Sequence, residues 1–210
     1  MSVVEYFKKS GINEAELWLT FKEGDVKAYE QIYTIYYKQL YNYAHKYTSD
    51  KELVNDLIHD LFVKIWNNRQ TLSNPPSVKN YLFKSFRGHL FNHIRDTRDH
   101  AAGSAEELEM LNPFTLEVKA SPEADVIAIE KKNQVNRLIS NAINQLTDRQ
   151  REAIYLKYYE GFSYPEIAEI MGLSVKATYK LIARAITSLR EHAGNQPIVL
   201  FLAMFRRFIV

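Results

Sequence analysis

The chain has 210 residues, and 27 Lys and Arg against 25 Asp and Glu leave a formal net charge of +2. A hydrophobic share of 46% and a charged share of 25% exclude collagen-like and wholly disordered chains. The lack of cysteine excludes a disulfide framework, a thiolate zinc site and a cysteine nucleophile, and seven Gly and six Pro are too few for the turns of an all-β sandwich.

The first predicted helix carries Val26, Tyr29, Ile32, Tyr36, Leu40, Tyr43 and Tyr47 on one face, with Asp25 as its N-cap. Thr48-Ser49-Asp50 breaks it. The next helix has two adjacent stripes: Leu53, Leu57, Leu61 and Ile65, then Val54, Ile58, Phe62 and Trp66. Such a wide apolar face packs against two neighbours. Asn74-Pro75-Pro76-Ser77 is a stiff turn, because proline pushes its predecessor out of the helical region.

A third helix is predicted from about Val78 to Asp96, and the charge is concentrated around it. Residues 1–63 sum to −3, residues 64–98 to +6, residues 99–145 to −4 and residues 146–210 to +3. Two basic segments between acidic ones suit two footprints on a polyanion, although chance clustering on solvated faces gives the same sums. In the third helix, cations alternate with Tyr81, Phe83, Phe86 and Phe91. Leu82, Phe86 and Phe91 fit an inner stripe, which leaves Tyr81 as the expected exposed ring. An exposed aromatic beside phosphate-neutralising cations can stack an unpaired base. His89 and His93 have the spacing of helical metal ligands, but no Glu follows His89 and no third ligand is evident, so no metal is expected.

Periodicity lapses over 97–121, which reads as an exposed linker. Ser121-Pro122 reads as a fresh helix start, and Val126, Ile129, Val135, Leu138, Ile139 and Ala142 continue the helical pattern. Thr147 with Gln150 forms a predicted capping box ahead of an apolar helix containing Ile154, Leu156, Tyr158 and Tyr159.

The most specific stretch is Ser163 to Arg190. Ser163 with Glu166 makes another capping box, and Pro165 is tolerated in the first turn. Ala168 is small where a second helix must cross, Gly172 ends the first helix, Leu173 plugs the turn and Ser174 caps the second. There Val175, Thr178, Ile182, Ala185, Ile186 and Leu189 form the inner stripe. Lys176, Lys180 and Arg184 share another face, with Tyr179 beside it. The pattern is that of a helix-turn-helix offering a basic recognition helix to the major groove. A helical hairpin with a solvated lysine face is the alternative.

The expected fold is all-α: two small helical domains on a flexible linker, the second a helix-turn-helix. The spans are 1–98, a linker over 99–121, 122–195, and a hydrophobic tail over 196–210. The tail fits a packed terminal helix, a regulator-binding segment, or weak membrane-surface contact through Arg206 and Arg207. No apolar run reaches the roughly 18 to 20 residues that span a bilayer. Neither a stable membrane span nor a secretion signal is expected, and a cytoplasmic location follows. No cluster of acid, base and nucleophile emerges, so neither an enzyme nor a cofactor is expected.

The ordered motifs resemble the extracytoplasmic-function group of bacterial RNA polymerase sigma factors. The likeness rests on Ala28 to Tyr33, Asp56 to Trp66, Leu146 to Glu152 and Glu166 to Ser174, and it covers nearly all of both domains. It implies three interfaces. Asp56, His59, Asp60, Phe62 and Lys64 would bind core RNA polymerase. Lys79, Asn80, Tyr81, Lys84, Arg87, Arg95 and Arg98 would engage and open the −10 promoter element. Ser174, Lys176, Thr178, Tyr179, Lys180 and Arg184 would read the −35 element. The implied partners are core polymerase, promoter DNA and an anti-sigma factor. His59 stands where many members have Gln, Tyr81 where Trp is usual, and Gly88 where Asn is usual. Thr178 replaces a usual Val, and Leu181 a frequent basic residue. These departures bear on base preference. The competing readings are a helix-turn-helix regulator that is no polymerase subunit, and a helical adaptor that binds only protein.

Overall fold

The computed structural model describes residues 13–99, 114–116 and 140–192, with 97–99 described by backbone alone. Among the described residues the regular structure is helical and no strand occurs. The chain divides into two compact units between Asn112 and Pro113.

The first unit holds α1 (Glu14–Lys22), α2 (Val26–Ala44), α3 (Lys51–Asn67) and α4 (Val78–Asp99). Each start is fixed by a side chain that accepts from an orphan backbone amide. Asn13 accepts from Ala15, Asp25 from Ala28, and Asp50 from both Glu52 and Leu53. Ser77 Oγ accepts from the Asn80 amide at 3.1 Å. Helix α1 packs on α2, α2 on α3 and α3 on α4, while α4 returns against α2 and α1. Their shared core is strongly aromatic: Trp18, Phe21, Tyr36, Tyr43, Phe62, Phe83 and Phe86 are all buried. Rings meet tilted or edge-on, as Tyr33 does with Phe62 at 4.8 Å and Tyr29 with Trp66 at 5.1 Å.

Helix α1 carries no marked periodicity, and sequence reading passes over it. It nevertheless buries Leu17, Trp18 and Phe21. It also braces the turn before α4. Trp18 Nε1 donates to the Ser73 carbonyl at 3.1 Å, and Lys22 Nζ donates to Asn74 Oδ1 at 2.9 Å. At its start, Glu14 accepts from the Tyr36 hydroxyl.

In the second unit residues 140–144 are helical, followed by α5 (Asp148–Ile154), a π-helical turn (Tyr155–Tyr159), α6 (Tyr164–Met171) and α7 (Val175–His192). Both predicted capping boxes form. Gly172 has φ 64° and ψ 39°, the left-handed conformation expected of it. The Leu173 amide then donates to the Ala168 carbonyl at 2.8 Å, which closes the turn. Helix α7 packs across α5 and α6 through Thr178, Ile182, Ala185 and Leu189. Val175, expected on that inner stripe, is instead exposed.

The π-helical turn replaces an expected ordinary helix. The Glu160 amide reaches back five residues to the Tyr155 carbonyl at 3.1 Å. The wider turn accompanies burial of both Tyr155 and Leu156. Phe114 and Leu116, inside the expected linker, are buried, and Phe114 meets Tyr155 edge-on at 5.7 Å. These residues pack with the second unit and are not free linker. The rest of the expected linker over 100–121, the helix start at Ser121-Pro122, the periodic residues up to Ile139 and the tail over 196–210 lie outside the described residues.

Candidate nucleic-acid and partner interfaces

The outer face of α7 gathers the predicted basic set. Ser174 caps the helix, its Oγ accepting from the Ala177 amide at 3.1 Å. Lys176, Tyr179, Lys180 and Arg184 are all exposed. The spacing of the three cations puts them on one side, clear of α5 and α6. Thr178 holds its expected place on the inner stripe and not the one implied for it among the −35 readers. It is fully buried, and its hydroxyl donates to the Ser174 carbonyl at 3.1 Å. It is a core residue that cannot reach a base, because it sits on the stripe that crosses α6.

Three side chains from three segments stack beside that face. Tyr179 lies 3.9 Å from Tyr164, with the ring planes 14° apart. Lys157 Nζ lies 4.8 Å from the Tyr164 ring centre and donates to the Phe162 carbonyl at 3.2 Å. Burial raises the pKa of nearby Tyr158, as does Tyr164, while Arg190 opposes the shift.

The outer face of α4 carries exposed Lys84, Phe91 and Arg95. Arg95 reaches Asn92 Oδ1 at 3.2 Å and Asp96 at 3.6 Å. Lys79, Asn80 and Arg87 are half-buried, and Lys79 Nζ sits 5.5 Å from the Phe83 ring centre. The side chain of Arg98 lies outside the described residues. The two aromatic expectations change places. Tyr81 is half-buried, edge-on to Trp18 at 5.5 Å. Phe91, expected inside, is 37% exposed under the Arg87 guanidinium at 4.2 Å, with Tyr47 edge-on to it. The reversal arises because α1 supplies Trp18 to cover Tyr81.

On α3, Asp56, His59, Asp60 and Lys64 are exposed, and Asp60 lies 3.8 Å from His89 Nε2. Phe62 is fully buried under Tyr29 and Tyr33, so it supports this surface from beneath and cannot be part of it. Its neighbour Val63 is the exposed apolar residue there, at 39%. Beside α3 runs a ladder on α2, with Tyr33 stacked on Tyr37 at 5.4 Å and Tyr37 on Tyr41 at 5.9 Å. The Tyr37 hydroxyl donates to Asn55 Oδ1 at 2.6 Å. The pKa values of Tyr29 and Tyr33 are raised by burial, then by the adjacent tyrosine, and that of Tyr36 by burial and then Glu14. These shifts report packing, since burial disfavours the charged phenolate. Among the described residues no three of His, Cys, Asp and Glu gather where they could hold a metal ion.

A capped helix-turn-helix with a one-sided basic face, in one chain with a helical unit carrying a basic aromatic helix, defines a DNA-binding transcription protein. Comparison narrows the class. Residues 32–100 match the family model Sigma-70 region 2, and residues 136–189 match Sigma-70, region 4, together more than half of the chain. The chain belongs to the sigma-70 family of RNA polymerase sigma factors, in its extracytoplasmic-function group, and is a non-enzymatic factor of transcription initiation. Among its relatives is RNA polymerase sigma factor YlaC of Bacillus subtilis, 24% identical over 78% of this chain and 90% of that protein. Another is the ECF sigma factor SigM of the same organism, 24% identical over 73% of this chain and 86% of that protein. The fold is also that of the sigma factor RpoE solved with the anti-sigma factor NepR from Bartonella quintana. That match has a TM-score of 0.56 at 21% identity, over 81% of this chain and 99% of that one.

Proposed function

We propose that this sigma factor divides its work among the three surfaces. The unit over residues 1–98 docks on core polymerase through Asp56, His59, Asp60 and Lys64. The same unit engages the −10 element through the turn before α4 and through Lys79, Asn80, Tyr81, Lys84, Arg87, Arg95 and Arg98. The unit over 122–195 reads the −35 element through Ser174, Lys176, Tyr179, Lys180 and Arg184. The observation that carries this reading is the exposure of Lys176, Lys180 and Arg184 together on the second helix of a closed helix-turn-helix. N-terminal residues of such a helix meet base edges in the major groove, and the cations seat phosphates.

Opening the −10 region costs stacking energy of about 1–2 kcal/mol per base step. No Gly-x-x-x-x-Gly-Lys motif is present to draw on nucleotide hydrolysis, so binding energy drives the opening. The turn before α4, braced by Trp18 and Lys22, captures unpaired bases, and the α4 cations hold the strand. Such a factor works in the cytoplasm beside polymerase. Among the described residues no helix is long and apolar enough to cross a membrane. An anti-sigma factor is the regulator in this scheme, as NepR is the bound partner in the similar RpoE structure.

Run-off transcription by core polymerase, with and without this chain, tests the whole reading. Promoter-specific transcripts should appear only with it. Permanganate footprinting of the same complex tests the −10 surface: Tyr81→Ala should reduce thymine reactivity there, and unchanged reactivity removes the stacking role.

A further inference from the structure

The stack of Lys157, Tyr164 and Tyr179 has no place in a surface that only neutralises phosphate. We propose that Tyr179 reads the C5-methyl group of one thymine in the −35 element, with Tyr164 and Lys157 as positioning residues that hold its ring. The inference rests on the assignment of α7 as the −35 reader and adds what that reader discriminates.

Tyr179 is the large apolar group on the DNA-facing side of α7, 52% exposed, in the second turn between Lys176 and Lys180. Its ring is not left to rotate in solvent. Tyr164 covers one face at 3.9 Å and nearly parallel. Lys157 Nζ lies 4.8 Å from the centre of the same Tyr164 ring. Lys157 is itself tethered by the Phe162 carbonyl. The three side chains come from the π-helical turn, the first turn of α6 and the second turn of α7, so the fold sets the orientation of the Tyr179 ring before DNA arrives. A side chain ordered in advance loses less freedom on binding. Its remaining face and edge point outward from the turns that meet base edges. Of the four bases only thymine presents an apolar group in the major groove, its C5-methyl. The flanking lysines supply charge without sequence information, which leaves the ring to supply the discrimination.

Holoenzyme reconstituted from core polymerase and the full chain would first select its −35 duplex from a randomised pool. Each thymine would then be replaced by deoxyuridine, which lacks only the methyl group. At one position the wild type should bind the deoxyuridine duplex about fourfold more weakly, the scale of one buried methyl-sized group. Tyr179→Ala should bind both duplexes equally, and Tyr179→Phe should keep the preference. Tyr164→Ala should lose about half of it and Tyr164→Phe should restore it, all with an unchanged salt slope, because no cation is removed. Indifference of the wild type to deoxyuridine at every position overturns the proposal. So does a preference that survives Tyr179→Ala, or a Tyr179→Phe variant that behaves like Tyr179→Ala, which would assign the contact to the hydroxyl. Failure of the wider −35 assignment reads differently: Lys176→Ala and Lys180→Ala would then leave both affinity and salt slope unaltered.

Discussion

The same substitution, glycine to alanine, should have opposite signs in the two units. Gly172 has φ 64° at the end of α6, and a Cβ there would meet nothing within 4 Å. The cost is therefore backbone strain alone, about 1–2 kcal/mol for an L-residue in the left-handed region. Alanine also restricts the unfolded chain, which offsets about 0.4–1 kcal/mol. The net is a loss of about 1 kcal/mol. Gly88 lies inside α4 with ordinary helical backbone, and a Cβ there also meets nothing within 4 Å. Alanine should stabilise this helix by about 0.5–1 kcal/mol. The two variants then differ by up to about 2 kcal/mol, roughly 30-fold in the unfolding constant. Both tryptophans, Trp18 and Trp66, lie in the first unit. Tryptophan fluorescence during urea unfolding should show a higher midpoint for Gly88→Ala. Far-ultraviolet circular dichroism, which sees both units, should show the loss in Gly172→Ala. Gly172→Asn should cost less than alanine, because asparagine tolerates the left-handed region. A Gly172→Ala protein as stable as wild type, or Gly172→Asn as costly as alanine, would refute the backbone account.

The interface assignments carry their own tests. Lys176→Ala and Lys180→Ala should each weaken −35 binding and flatten the dependence of log affinity on log salt by about one unit, measured by salt titration of holoenzyme on a promoter duplex. Thr178→Val should cost less than about 1 kcal/mol, since the Ser174 carbonyl keeps the Thr178 amide as donor at 3.0 Å. It should leave −35 preference unchanged, and altered preference in a selection experiment would return Thr178 to the DNA surface. Asp60→Lys should reduce co-purification with core polymerase while circular dichroism stays that of wild type. Undiminished co-purification would detach the exposed face of α3 from the polymerase.

Local signals in the sequence suffice for the helix caps and the left-handed turn, but not for the first residue of a stripe, since Val26 and Val175 are exposed. Asp25, Thr147, Ser163, Gly172 and Ser174 all occupy their expected positions, because capping and left-handed turns depend on residues within four positions. The errors arise where burial depends on a distant partner. The helical pattern points Tyr81 outward and Phe91 inward, and Trp18, more than 60 residues earlier, reverses the first. Helix α1 is passed over in the sequence, where no long apolar stripe marks it, although Leu17, Trp18 and Phe21 are buried. Phe62 and Thr178 stand in the expected interfaces through what the family resemblance implies, although both also lie on the apolar stripes of their helices. Motif membership records sequence likeness and not the direction of a side chain, and both point into the core. The π-helical turn has no sequence signal in Tyr155-Leu-Lys-Tyr-Tyr that separates it from an ordinary helix.

The opening charge balance acquires a physical meaning from these faces. A net charge of +2 provides little general attraction to DNA, yet it comprises a segment of +6 over 64–98 and four cations without an acid over Lys176 to Arg190. The exposed carboxylates of Asp56 and Asp60 lie one turn apart on α3, while Lys84 and Arg95 stand out from α4 in the same unit. Unbound, such a chain carries acidic and basic faces together, and its weak overall field gives little electrostatic steering toward DNA. Once core polymerase occupies the α3 face under the proposed assignment, Asp56 and Asp60 no longer repel phosphate. The α4 and α7 cations then act on a strand that polymerase holds nearby, so the second contact becomes an intramolecular one at high effective concentration. Under that assignment the distribution selects promoters through the complex, and the free factor is expected to bind DNA poorly.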